Sequence, residues 1–188
     1  MARQPPWSMR REPMVAHLSL PRVAHVPGTG SKPDRVPLDA AKALVPRQVS
    51  AVEWETNEPY RYGVRLCLEG FFWEAHEVWE AVWMACLPNG LERRLLRALI
   101  QLANAALKLR MGRINAAARL LAEADELLRD CDPGGGGSSL MGIDLGLLRR
   151  GTADALGAAK AGGEVQLGLV FHPIRGLAKP WTQGVYAL

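Results

Sequence analysis

The segment Trp73-Glu74-Ala75-His76-Glu77-Val78-Trp79-Glu80 gathers more side chains capable of chemistry than any other stretch of the 188 residues. At about 100° per residue on a helix, Phe71, Phe72, Ala75, Val78, Trp79, Val82, Trp83 and Cys86 make one broad apolar face. His76 stands at its edge with Glu80 one turn on, and Glu77 and Glu74 lie farther round. Trp73 and Met84 make that far side partly apolar too, so the pattern predicts a helix surrounded by neighbours. Carboxylates in such surroundings need a partner, because burying an unpaired charge is costly.

The next helical stretch offers partners. Leu95, Leu96, Leu99, Ala103, Ala106 and Leu107 form its core stripe, and Arg97, Gln101, Asn104 and Lys108 form a polar stripe at heptad spacing. Gln101 and Asn104 can donate to carboxylates, and Arg97 and Lys108 can pair with them. A polar cluster in a helix–helix seam would join His76, Glu77 and Glu80 to that stripe; Gln101 is expected to take part, whereas Arg97 and Lys108 are expected on a solvated face. A metal site is a second chemistry. His76-Glu77-x-x-Glu80 is similar to the HExxH of zinc peptidases with Glu80 replacing the second histidine, so His76 and Glu80 would be ligands and Glu77 the base. A third ligand is missing: His17, His25 and His172 fall in irregular flanks, and the interior of the next helix has no Asp, Glu or His. The sequence therefore favours a His–carboxylate pair without a metal. It holds no phosphate-binding loop, dinucleotide fingerprint or nucleophile elbow, and calls for no cofactor. Trp54, Trp73, Trp79 and Trp83 read as core, since base-stacking platforms must be exposed.

The elements that must position these groups lie between residues 53 and 131. Thr56 or Asn57 can cap a helix that tolerates Pro59 in its first turn. Glu69-Gly70 interrupts it, as a kink or as a tight turn. Further helices are predicted over about 71–86, stopped by Pro88-Asn89-Gly90, over about 92–111, ended by Gly112, and over about 114–130. Gly70 and Gly112 are each followed five residues later by alanine, an echo that reads as ordinary antiparallel helix packing. Short connections make sequential helices antiparallel neighbours. The expected fold is thus all-α, an antiparallel three- to four-helix bundle with irregular Pro/Gly-rich extensions at both ends. Residues 1–52, with eight prolines, read as an extended basic arm. Residues 132–142 read as a Gly-rich linker, and residues 143–188 as weakly helical and then irregular.

Charge is segmented. Residues 1–52 carry eight basic and three acidic side chains, residues 53–90 two and seven, and residues 91–131 eight and five. An acidic helical block followed by a basic one suggests that the two pack together, and it argues against a continuous basic surface for nucleic acid. The longest apolar run, residues 81–87, is far below the ~20 residues a membrane span needs. Cys67, Cys86 and Cys131 show no CxxC spacing, and Cys67 and Cys86 sit in apolar helical pattern as small hydrophobes. That usage reads as a reducing, cytoplasmic compartment, and no secretory h-region follows the N-terminal basic residues.

The runs Tyr62-Gly63-Val64, Gly70-Phe71-Phe72-Trp73-Glu74-Ala75-His76-Glu77-Val78-Trp79-Glu80 and Leu99-Ile100-Gln101-Leu102-Ala103, with Gly112, Ala116-Ala117 and Leu120-Leu121, resemble the bacterial and archaeal domain of unknown function 309 family over about residues 57–130. The resemblance implies a small all-α core of three or four helices and no established activity. It also implies that Glu74, His76, Glu77, Glu80 and Gln101 are the positions of interest. The chain departs from the family pattern at Lys108, where histidine is common, and at Asn104, where a small residue is usual.

With no complete catalytic set, the sequence leans away from an enzyme. It favours a non-catalytic cytoplasmic helical protein whose His/Glu/Gln cluster organises the core and binds a small ligand or a protein partner, with no membrane and no nucleic acid. The alternative is a metal-dependent hydrolase with His76 and Glu80 as ligands.

Overall fold

The computed structural model describes residues 18–30 and 32–178. His17, the start of the proline-rich arm and the last ten residues of the C-terminal extension lie outside them. The described residues form seven α-helices and one small hairpin: α1 (Arg35–Ala43), α2 (Glu58–Leu68), α3 (Phe72–Met84), α4 (Leu91–Arg110), α5 (Ile114–Cys131), β1 (Ser139–Leu140), β2 (Ile143–Asp144), α6 (Leu145–Lys160) and α7 (Leu167–Phe171), with 3-10 turns at Ala51–Glu53 and His172–Ala178. The fold is mostly helical. Each helix from α2 to α6 packs against its neighbour in the chain, and α1 lies on α2 and α3.

The helix punctuation follows the sequence. The Asn57 side chain accepts the Tyr60 N–H at 3.1 Å, capping α2 as expected for that residue type. Gly70, at φ +81°, makes the Glu69-Gly70 interruption a turn rather than a kink. Phe71 N donates to Leu66 O at 2.8 Å and Gly70 N to Cys67 O at 3.1 Å, the paired bonds of a Schellman ending. Gly112 repeats this arrangement, with Arg113 N on Lys108 O at 2.8 Å and Gly112 N on Leu109 O at 2.9 Å. The echo of Gly70 and Gly112 is therefore two identical helix stops, each followed by a helix whose early alanine, Ala75 or Ala117, is fully buried.

The flanks are more ordered than their proline and glycine content suggests. The stretch expected to be an extended arm contains α1. Its Pro37 falls in the first turn, where a missing N–H loses no intrahelical bond, and Pro37, Leu38 and Ala41 form a buried face. Asp144 caps α6 by accepting the Leu147 N–H at 2.8 Å, and Leu145, Leu148, Thr152, Ala155 and Ala159 bury one side of that helix against α5 and its neighbours. Packing overrides the low propensity of its glycines. The linker ends in the hairpin, pairing Ser139 with Asp144 and Leu140 with Ile143.

Helix α2 is enclosed on nearly every side. Pro59, Tyr60, Arg61, Tyr62, Gly63, Val64, Leu66 and Cys67 are all buried, with α3, α1 and the His172–Ala178 turn around them. The closest approach is at Gly63, where an added Cβ would overlap the Trp79 indole of α3. Trp79 is itself fully buried and its Nε1 donates to Tyr60 O at 3.0 Å.

Glycine to alanine inside a helix ordinarily gains up to about 1 kcal/mol. At Gly63 the sign should reverse, with Gly63→Ala costing about 3 kcal/mol because a rigid buried ring cannot retreat. Gly157→Ala in α6, where an added Cβ meets nothing within 4 Å, should be neutral or stabilising. Denaturant midpoints of the two variants check this; equal effects would contradict the close approach.

Candidate functional site

The polar residues of α3 reach the N-terminal segment, α1 and one another instead of converging on α4. Glu74 is fully buried, and its Oε1 accepts the backbone N–H of His25 at 2.7 Å. The His25 ring meets the Trp73 indole edge-on, with centroids 4.8 Å apart. Oε2 of Glu74 is buried without a hydrogen-bond partner among the described residues. Burial pushes the Glu74 carboxyl above its ordinary range, opposed by the His25 N–H and by the nearby His25 and Arg110 charges. Arg110 is anchored by its own bond to Gly70 O at 2.7 Å and lies over the Phe72 ring, 4.6 Å from its centroid.

Glu77 turns toward α1, where Lys42 Nζ meets its Oε2 at 2.8 Å. His76 and Glu80 face one another one turn apart, but Nε2 and Oε2 are 3.9 Å apart, too far for a hydrogen bond. The His76 side chain is 24% exposed and that of Glu80 50%, so this pair is weakly coupled. His76 Nδ1 and Trp83 Nε1 are buried without partners among the described residues. Arg93 of α4 stacks on Trp83, 3.7 Å from the ring centroid, and donates to Trp83 O at 3.0 Å and Cys86 O at 3.2 Å, closing the end of α3.

Gln101 stands elsewhere. It bonds the Glu123 carboxylate of α5, which Arg97 also grips at 2.7 Å. The Gln101 bond first, and then Arg97, hold Glu123 below the usual carboxylate range against the opposing effect of burial. The stripe on α4 is thus shared with α5, while α3 reaches the N-terminal segment and α1. Among the described residues no three His, Cys, Asp or Glu side chains come together in a way that could hold a metal ion. Two surface cavities, of about 180 Å³ beside Leu44 and Asn57 and about 630 Å³ beside Arg113 and Lys160, are lined by none of the five residues above.

The buried thiols are held protonated. Burial pushes Cys86 and Cys131 up to about 11 and Cys67 higher still, which leaves little thiolate near neutrality. Cys86 Sγ faces Val82 O and Cys131 Sγ faces Leu91 O, as for small core residues.

A set of polar residues on α2 does as much as the α3 carboxylates, and the spacing on α3 and α4 gave no hint of it. Tyr60 Oη donates to Met141 O at 3.0 Å, and Arg61 donates to Leu177 O at 3.2 Å and Glu55 O at 3.0 Å. Tyr62 Oη donates to Ser19 O at 2.6 Å and Arg65 to Leu18 O at 3.0 Å. Burial raises the Tyr62 hydroxyl to about 12, so it stays a donor. The signal available in the sequence was the density of long donor side chains in Tyr60-Arg61-Tyr62-Gly63-Val64-Arg65, a helix with little room for a solvated face.

A carboxyl raised in the folded state adds stability below its ordinary range, and that contribution is lost as pH rises through the folded-state value. Wild-type stability minus that of Glu74→Gln, which cannot ionise, should therefore fall as pH rises from the ordinary carboxylate range toward neutrality. Denaturant titrations across that range measure the difference; a flat or rising profile would place the Glu74 carboxylate in a favourable environment instead.

No curated protein and no solved structure matches the chain. A family model does, the one described as Domain of unknown function (DUF309), over residues 60–120. That stretch begins in the enclosed part of α2, takes in α3 and α4 with all five residues above, and ends inside α5. Residues 60–120 of this chain thus match DUF309, the family that the Glu-Ala-His-Glu run resembles.

Proposed function

We propose that this protein is a non-catalytic helical interaction module, in which an antiparallel bundle core over residues 53–131 fastens the flanking segments with its polar side chains and presents them to a protein partner. The reading rests on one observation above all. The Glu74 carboxylate, fully buried, is occupied by the backbone N–H of His25, forty-nine residues away in the chain. Glu77 is likewise engaged by Lys42, so both groups work as anchors for the N-terminal flank. The thiols are buried and protonated, which removes them as nucleophiles at neutral pH. In this reading His76 and Glu80 trim the edge of α3, and Gln101 ties α4 to α5 through Glu123.

The polar groups should then rank by what they fasten. Glu74→Ala leaves a half-buried N–H without an acceptor and a void in a fully buried site, and should cost about 2–3 kcal/mol. Glu77→Ala and Lys42→Ala should cost at most about 1 kcal/mol each, and Glu80→Ala less than about 0.5 kcal/mol. Limited proteolysis should cut Glu74→Ala first within residues 18–34. Unchanged melting and an unchanged digestion pattern for Glu74→Ala would overturn the reading.

A further inference from the structure

The end of the bundle where α3 finishes and α4 begins leaves large apolar side chains in water. The chain before α2 crosses this end. Val49 N donates to Ala85 O at 3.0 Å, and Ala51 N donates to Glu92 Oε1 at 3.3 Å. The Glu92 carboxylate in turn lies against Gly90, where an added Cβ would meet it and Leu87 O. These contacts set Val52, Met84, Leu87 and Leu91 at one place. Among the described residues five large apolar side chains are more than half exposed, and Val52, Met84 and Leu87 are three of them. Single exposed apolar residues are ordinary, but a cluster of them marks an interaction surface.

Charge and shape say what fits there. Residues 48–60 and 80–92, which build this end, carry five acids and no lysine, arginine or histidine. Arg47 and Arg94 border the face. Arg93 is drawn over the Trp83 ring, and Arg61 is buried, bonded to Leu177 O and Glu55 O. The cavity of about 180 Å³ adjoins the apolar cluster, since Ser50 and Glu53 of its wall stand on either side of Ala51 and Val52. Leu44 and Pro46 make part of that wall apolar, and Glu53 and Glu58 supply carboxylates. An apolar wall leading to carboxylates matches both halves of a lysine or arginine side chain, the methylene stem and the charged head. The same acids repel phosphate-bearing surfaces and set two copies of this face against each other, so they select a basic protein segment.

We infer that this end of the bundle docks a basic amphipathic segment of another protein. Apolar side chains of that segment cover Val52, Met84, Leu87 and Leu91, and one lysine or arginine enters the cavity between Leu44, Pro46 and the Glu53 and Glu58 carboxylates. An amphipathic helix laid on an apolar surface is a common mode of such recognition. The inference rests on the interaction reading above, to which it adds a surface and a class of partner. It does not depend on Glu74, which lies in the first turn of α3, at the opposite end of that helix.

The test titrates a fluorescent amphipathic helix of leucine and lysine into the full chain at low salt, with amide chemical shifts to locate it. The shifts should fall on residues 44–58 and 84–92. Val52→Ser/Leu87→Ser should weaken binding at least tenfold and Glu53→Gln/Glu58→Gln at least threefold. Asp154→Asn/Glu164→Gln removes the same charge from exposed positions on and after α6 and should leave binding unchanged, and a leucine–glutamate helix should not bind. Val52 and Leu87 are exposed, so circular dichroism should match wild type; Met84→Ser serves where it does not. Shifts elsewhere, equal losses in the two charge variants, or binding of the leucine–glutamate helix overturn the inference. So does a dimer abolished by Val52→Ser/Leu87→Ser, which assigns the face to a second copy. Binding seen only after removal of residues 179–188 likewise overturns it and assigns the face to the chain's own end. Glu74→Ala should change this binding less than twofold, so the docking surface and the fastening role fail separately.

Discussion

The approach of α3 to α2 at Gly63 is the constraint on which the remaining structure depends. Only a residue without Cβ lets the Trp79 indole lie against the α2 backbone, and the indole N–H then adds a bond to Tyr60 O at 3.0 Å. With α3 seated this closely, only Glu58, Arg65 and Leu68 of α2 stay part-exposed, and Tyr60, Arg61 and Tyr62 must direct their polar ends into protein. Buried donors without acceptors are costly, so the enclosure of α2 dictates that other segments bring carbonyl groups to it.

Those carbonyls come from the parts of the chain with no regular partners of their own. Met141 and Leu177 offer theirs to Tyr60 and Arg61 from the C-terminal side, and Leu18 and Ser19 offer theirs to Arg65 and Tyr62 from the N-terminal side. Irregular backbone cannot be buried without such bonds. The same contacts therefore satisfy α2 and order the flanks. This is why a single core cluster runs from Leu18 through the helices to Ala178.

The helices carrying the family resemblance were legible in the sequence because their signals are local. Asn57, Gly70, Pro88-Asn89-Gly90 and Gly112 mark boundaries through their own backbone preferences, and α3, α4 and α5 fall within a residue or two of the limits those signals set. Helix α1 was hidden by prolines whose position in the first turn makes them harmless, and α6 by glycines that tertiary packing tolerates. For the polar residues, periodicity assigned faces correctly but could not say what stands opposite a face. Gln101 meets Glu123 and Glu74 meets a backbone amide of a distant loop, and neither pairing has a sequence period. The donors of α2 were illegible for the same reason, since their acceptors are main-chain atoms present at every residue.

Charge segmentation carries the argument one step further. The acidic block over residues 53–90 pairs less with the basic block after it than with the basic N-terminal stretch. Lys42 takes Glu77, and the His25 amide takes Glu74. Within the later block, Arg97 is used on Glu123, and Arg93 on the carbonyls that end α3. A carboxylate buried with one oxygen unpartnered is unfavourable by itself. Glu74 is tolerated because one amide of the N-terminal segment reaches it, and that makes the stability of α3 conditional on what lies across it. A fold built this way couples the seating of the N-terminal segment to the ionisation and packing of the central helix pair.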